Sequence, residues 1–233
     1  MKVIVENSTA EIVEKKSRFI ANVFYAENEN DANEKLNDVK KKYHDAKHNC
    51  YAYIIGENGE IVKSSDDGEP QGTAGHPMLD ILKGSDFTNC IAVVTRYFGG
   101  ILLGTGGLVR AYSDSLKLAL SNAKTSYLNY GYIIDFIVGY DEYGKIENII
   151  SSINLRYANE CQNEKISNNL SYDMPIRSIN KNFENNIKLE YLVKESAFEE
   201  LKKQITNITK GKILLEKNEK RIYYISDNKV VYI

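Results

Sequence analysis

The chain has 233 residues, 42% hydrophobic and 27% charged, with a formal net charge of −2. That balance belongs to a globular chain rather than a disordered one, and neither half is the basic body of a protein that grips nucleic acid through many phosphates. No apolar run approaches the roughly 20 residues needed to span a bilayer, and the opening Met-Lys-Val-Ile-Val-Glu is not a signal peptide, so a cytoplasmic protein without a membrane partner is expected.

Residues 3–5 and 18–25 read as strands. Asn30 or Asp31 caps a helix whose Ala32, Leu36, Val39 and Tyr43 share a face, with Lys40, Lys41 and Lys42 at its C-terminal end, where the helix dipole favours cations. Residues 50–55 and 60–63 flank Gly56-Glu57-Asn58-Gly59, a hairpin signal. After a polar loop, 64–75, Pro77 suits the first turn of a short helix, 78–83, closed by Gly84. Residues 90–94 form a buried strand that runs into Thr95-Arg96-Tyr97-Phe98. The glycines at 99, 100, 104, 106 and 107 follow, then a helix carrying Leu108, Ala111, Tyr112, Ser115, Leu116 and Ala119.

The second half reads strand 130–140, helix 143–154, strand 156–161, strand 188–193, helix 197–208 and strand 212–216. This β-α-β-β-α-β order is the split ferredoxin-like motif. Residues 162–186, rich in Asn, Ser and Lys, form a long loop or an irregular hairpin, with a strand at 171–177 as one option. The tail holds two short apolar runs around Asp227-Asn228, a hairpin pattern. The expected domains are 1–126, 127–217 and the tail 218–233.

Strand, glycine loop and helix start are the parts of an anion-binding loop, because unpaired first-turn N–H groups and the helix dipole favour negative charge. The glycines match neither GxGxxG nor a Walker loop, and a sharp turn needs the same residues. Asp66, Asp67 and Glu69 are carboxylates of the type that holds magnesium or supplies a base. Equally, they are turn chemistry, or they pair with Arg96 or Arg110. Tyr97 and Phe98 with Arg96 would make an aromatic and cationic platform, or else bury a ring in the core; as neighbours on an extended chain they point to opposite faces. His44 and His48 are four apart but lack further ligands, and read as polar residues at a helix end. Cys50, Cys90 and Cys161 are scattered, with no CxxC pair. There is no GxSxG elbow. No catalytic set, cofactor or metal centre is assigned.

The segments KSRFIA (16–21), DAKHNCYAY (45–53), SDDGEP (65–70), GTAG (72–75), VTRYFGG (94–100) and LGTGGLVRAY (103–112) resemble the YigZ/IMPACT family over roughly residues 15–120. The remainder is similar to the small C-terminal domain of bacterial YigZ-type members. The resemblance implies an α+β protein: an N-terminal α/β domain like the second domain of a small-subunit ribosomal protein, and a C-terminal ferredoxin-like domain related to one in elongation factor G. Eukaryotic members regulate translation, and nucleic-acid binding is the usual inference for bacterial ones. His76 stands where the family commonly has Arg or Lys.

The expected function is therefore a non-enzymatic, translation-associated regulator that binds RNA, the ribosome or a translation protein. Its expected binding residues are Asp66, Asp67, Glu69, Thr73, His76, Arg96, Tyr97, Gly99, Gly100, Gly104, Gly106, Gly107 and Arg110, with Arg96 and Arg110 neutralising phosphate. The alternative is a metal-assisted enzyme acting on a phosphorylated small molecule, with Asp66, Asp67 and Glu69 holding magnesium.

Overall fold

The computed structural model describes residues 1–163, 174–227 and 229–232, and the side chains of all these except 161–163. The chain forms two compact units, Met1–Tyr127 and Leu128–Ile233.

Unit 1 runs β1 (Lys2–Glu6), β2 (Ser8–Glu14), β3 (Ser17–Tyr25), α1 (Glu29–Lys42), β4 (His48–Ile55), β5 (Ile61–Ser65), α2 (Gly75–Gly84), β6 (Cys90–Tyr97), α3 (Thr105–Asn122) and β7 (Lys124–Tyr127). Five strands make an antiparallel sheet in the order β2-β3-β6-β4-β5. The central strand β6 is apolar on both faces because both are covered. Cys90, Ala92 and Val94 pack in the layer of α2 and α3, while Ile91 and Val93 pack against Ala32, Leu36 and Val39 of α1. β1 and β7 pair as a separate ribbon that ties the two ends of the unit together.

Two local expectations shift. The α1 cap is Asn28, whose side-chain oxygen accepts from the Asp31 N–H; Asn30 and Asp31 carry the same chemistry but already lie inside the helix. Strand β2 escapes the sequence reading because only Ala10 and Ile12 of its seven residues pack inward.

Unit 2 runs β8 (Asn129–Val138), α4 (Tyr140–Asn163), β9 (Ile176–Phe183), β10 (Ile187–Lys194), α5 (Glu195–Ile208), β11 (Glu219–Ser226) and β12 (Lys229–Tyr232). Its sheet order is β12-β11-β8-β10-β9. Without β12 this is the split β-α-β-β-α-β arrangement, reached through different segments from those expected. The proposed strand 156–161 is the end of α4. Ile146, Ile150 and Ile153 pack against the sheet, and Tyr157 continues their three-to-four-residue period. The proposed strand 212–216 is not a strand, although Leu215 is buried in the core. The fourth strand is β11, from the segment read as a tail, and it also forms the expected hairpin with β12. Of the optional strand 171–177, residues 171–173 lie outside the described residues, and β9 begins at Ile176.

Candidate functional site

The expected site residues all lie in unit 1, and the register brings their segments together. Phe19 of β3 pairs with Arg96 of β6, which pairs with His48 of β4. Arg96 therefore sits near the end of the central strand, on the face that holds Phe19.

Its guanidinium is almost wholly buried and meets the carboxylate of Glu69, with Nη1 2.7 Å from Oε1 and 3.0 Å from Oε2. Tyr112, in the second turn of α3, donates its hydroxyl to Glu69 Oε1 at 2.9 Å. Phe19 and Phe98 flank the guanidinium at 5.4 and 5.5 Å, within cation–π range. The Cys50 thiol donates to the Asp66 carbonyl at 2.9 Å and lies 3.3 Å from the Tyr112 oxygen. Burial pushes this thiol up to about 12 and raises the Tyr112 phenol further still. Neither group is a nucleophile at neutral pH.

The acidic loop is held from within. Asp66 Oδ1 accepts the N–H groups of Ala74 and Gly75 at 3.0 and 2.8 Å, and Oδ2 accepts that of Gly72 at 2.8 Å. Asp67 Oδ2 accepts the Asn49 N–H at 2.7 Å, and Oδ1 lies 3.6 Å from Lys40 Nζ. With Glu69 held by Arg96 and Tyr112, all six carboxylate oxygens have protein partners. Among the described residues no group of three or more His, Cys, Asp or Glu is arranged to hold a metal. His48 Nδ1 lies 2.9 Å from the Asp67 carbonyl, and α1 has ended at Lys42, so His44 and His48 share no helix. Thr73 is buried, with its hydroxyl on the Pro70 carbonyl, whereas His76 is exposed in the first turn of α2.

The 66–75 loop and the 96–110 segment thus converge, joined by a closed ion pair. Arg96 spends its charge on Glu69, while Arg110 is exposed on α3. Tyr97 leaves the opposite face of β6. Its hydroxyl donates to Asp45 at 2.6 Å, which pushes the phenol up to about 12, and the Arg18 guanidinium lies over its ring. Phe98 on the other face is 55% exposed.

The glycines divide by role. A Cβ on Gly99 would stand 2.0 Å from the Lys16 carbonyl carbon, so this glycine lets the β2–β3 turn close on the strand end; its N–H donates to Ser17 Oγ. Gly100 and Gly104 take φ of +85° and +73°, a conformation that favours glycine. Gly107 approaches the Leu103 side chain, and Gly106 faces open space. Helix α3 starts with neither a side-chain cap nor an acid in its first turn. Sequence reasoning missed the link between Cys50, Tyr112 and Glu69. Its one signal was a tyrosine at a core-facing helical position, because a buried phenol needs a hydrogen-bond partner.

The Impact N-terminal domain matches residues 15–120. The IMPACT family member YvyE of Bacillus subtilis is 48% identical over 138 residues, which are 59% of this chain and 64% of that protein. The alignment therefore spans just under two thirds of that relative. An IMPACT family member of Haemophilus influenzae is 31% identical over 204 residues, 87% of this chain and 89% of the relative. A crystal structure described as a hypothetical protein is 29% identical, with a TM-score of 0.54 over 94% of this chain and 97% of its own.

Proposed function

Because the chain belongs to the IMPACT family, we propose that it is a non-catalytic, cytoplasmic, translation-associated factor that contacts RNA, the ribosome or a translation protein through the glycine-loop face of unit 1. The observation that carries this reading is the contrast across that face. Of the carboxylates that a metal-assisted reaction would use, Asp66 and Glu69 are hydrogen-bonded by the protein at both oxygens and Asp67 at one, with Lys40 3.6 Å from the other. The glycine segment that follows Arg96 displays Phe98, Ile101 and Leu102 to solvent, and the first turns of α3 display Arg110. Such a face is equipped to bind rather than to transform.

Of the two arginines expected to neutralise phosphate, Arg110 carries the role on this reading, since a guanidinium neutralised by a buried carboxylate attracts a second anion weakly. Lys15 and Lys16, exposed in the turn that abuts Gly99, add to the positive rim. The test is co-sedimentation of the full chain with ribosomes across a salt series. The expected result is a bound fraction that falls as salt rises and drops further in Arg110→Glu. A folded protein that stays in the supernatant at low salt and retains neither RNA nor a translation protein from extract would overturn the proposal.

A further inference from the structure

Within the face just described, the segment between Gly100 and Gly104 is built to present apolar side chains outward. Ile101 is 43% and Leu102 82% exposed, next to the 55% exposed Phe98. Both flanking glycines have positive φ, and a Cβ on either would meet nothing within 4 Å. Packing does not demand glycine at these two positions; the turn that displays Ile101 and Leu102, with Leu103 packed on the core, does. The other exposed large apolar residues of unit 1 (Val13, Ile61, Val62, Leu118, Tyr127) are not gathered in one loop. An apolar group of this kind, bordered by charge, marks an interaction site.

The charge on the border has one sign along the loop itself. No Asp or Glu occurs from Tyr97 through Gly104; Arg110 follows on α3, where the nearest acid in sequence is Asp114, one turn further on and within 4.0 Å of Lys117. In the abutting β2–β3 turn, Lys15 and Lys16 outnumber Glu14, and Arg18 is already paired with Glu11 at 2.7 Å.

We propose that the Phe98–Ile101–Leu102 loop is a protein-docking knob, and that its partner presents an apolar pocket rimmed by carboxylates. The inference rests on the reading of this face as the working surface, and it selects a protein over the other occupants. Two of the three displayed side chains are aliphatic; they gain from burial in an apolar pocket, whereas single-stranded nucleic acid is gripped by stacking on aromatic rings. A second copy would bring Arg110, Lys15 and Lys16 of both chains together, and like charges repel. Three cations also fall short of the cluster of about four to eight that draws a protein to an anionic lipid surface.

The test replaces Leu102 with p-benzoylphenylalanine in the full chain and irradiates it in extract from its host. The cross-linked site is then mapped by mass spectrometry. The expected product is a single protein cross-linked at an apolar residue with Asp or Glu beside it. Its yield should fall at least fivefold in Ile101→Ser and in Arg110→Glu, both at exposed positions. Charge reversal of the partner's acid to Lys should restore binding to Arg110→Glu. Cross-links to RNA, to lipid or to a second copy would overturn the inference, as would no cross-link or protein cross-links indifferent to both substitutions. The outcome is separable from ribosome co-sedimentation. A mapped, substitution-sensitive contact with a protein outside translation, without ribosome binding, would leave the knob standing and remove the translation reading.

Discussion

Arg96 and Glu69 form a buried ion pair, Nη1 to Oε1 at 2.7 Å with side-chain exposures of 8% and 3%, and it ties the central strand of unit 1 to the acidic loop. Tyr112 donates to the same carboxylate, so α3 joins the connection. A charge pair this deep holds its partners in place chiefly by the penalty for separating them.

Removing one member of the pair should therefore be severe. Glu69→Ala or Arg96→Ala is expected to lower stability by about 3–5 kcal/mol. The double substitution Arg96→Met/Glu69→Leu should cost less than the sum of Arg96→Met and Glu69→Leu. Urea denaturation of the unsubstituted protein, Arg96→Met, Glu69→Leu and the double variant measures the coupling. Additive losses would show that the pair does not act as a unit.

Asp66 predicts a different kind of loss. Its carboxylate collects three backbone N–H groups from residues 72–75. Asp66→Ala strands them, and is expected to cost at least about 2 kcal/mol and to raise hydrogen exchange at Gly72, Ala74 and Gly75. Unchanged exchange at these amides would contradict the loop's internal scaffolding.

Two glycines of the same loop should respond in opposite ways. Gly99→Ala drives a methyl into the Lys16 backbone, and a loss of about 1–3 kcal/mol is expected from overpacking. Gly106→Ala meets nothing within 4 Å and lies in the first turn of α3. It should gain about 0.5 kcal/mol by restricting the unfolded chain. Denaturation midpoints of the two variants check this division.

The thiols provide a chemical check on burial. Cys50 and Cys90 are both pushed up to about 12 from 9.0, first by burial. In a Cys161→Ser background the folded protein should resist thiol labelling at pH 8 and react fully only when unfolded. The sign with pH follows, because the folded state favours the protonated thiol. This contribution to stability is intact below about pH 9 and is lost as pH rises toward 12. Rapid labelling of Cys50 in the folded state would rule out the closed site described above.

Much of unit 1 was legible because its apolar patterns are local. Residues 90–94 read as a buried strand, and Gly56–Gly59 as a hairpin turn. Unit 2 was read in the right order from partly wrong segments. The helical period that begins at Ile146 runs past Leu155-Arg156-Tyr157, whose composition alone suits a strand. The weakly apolar β11 earns its place by pairing with β8, a partner far away in sequence. Propensity cannot see such a pairing.

The sequence by itself determined which residues matter on the candidate face: the acidic loop, the arginines and the glycines, all within motifs whose order and spacing carry the family resemblance. Chain-local chemistry allowed Asp66, Asp67 and Glu69 to be metal ligands, turn formers or ion-pair partners, and allowed Arg96 to be a phosphate clamp. Only the tertiary structure decided which contacts these groups make within the chain. Burial makes an unpaired charge costly, and the sheet register sets Arg96 beside Phe19 and brings its guanidinium to Glu69. What unit 1 leaves exposed there is a cation one turn into α3 and an apolar loop at Ile101 and Leu102.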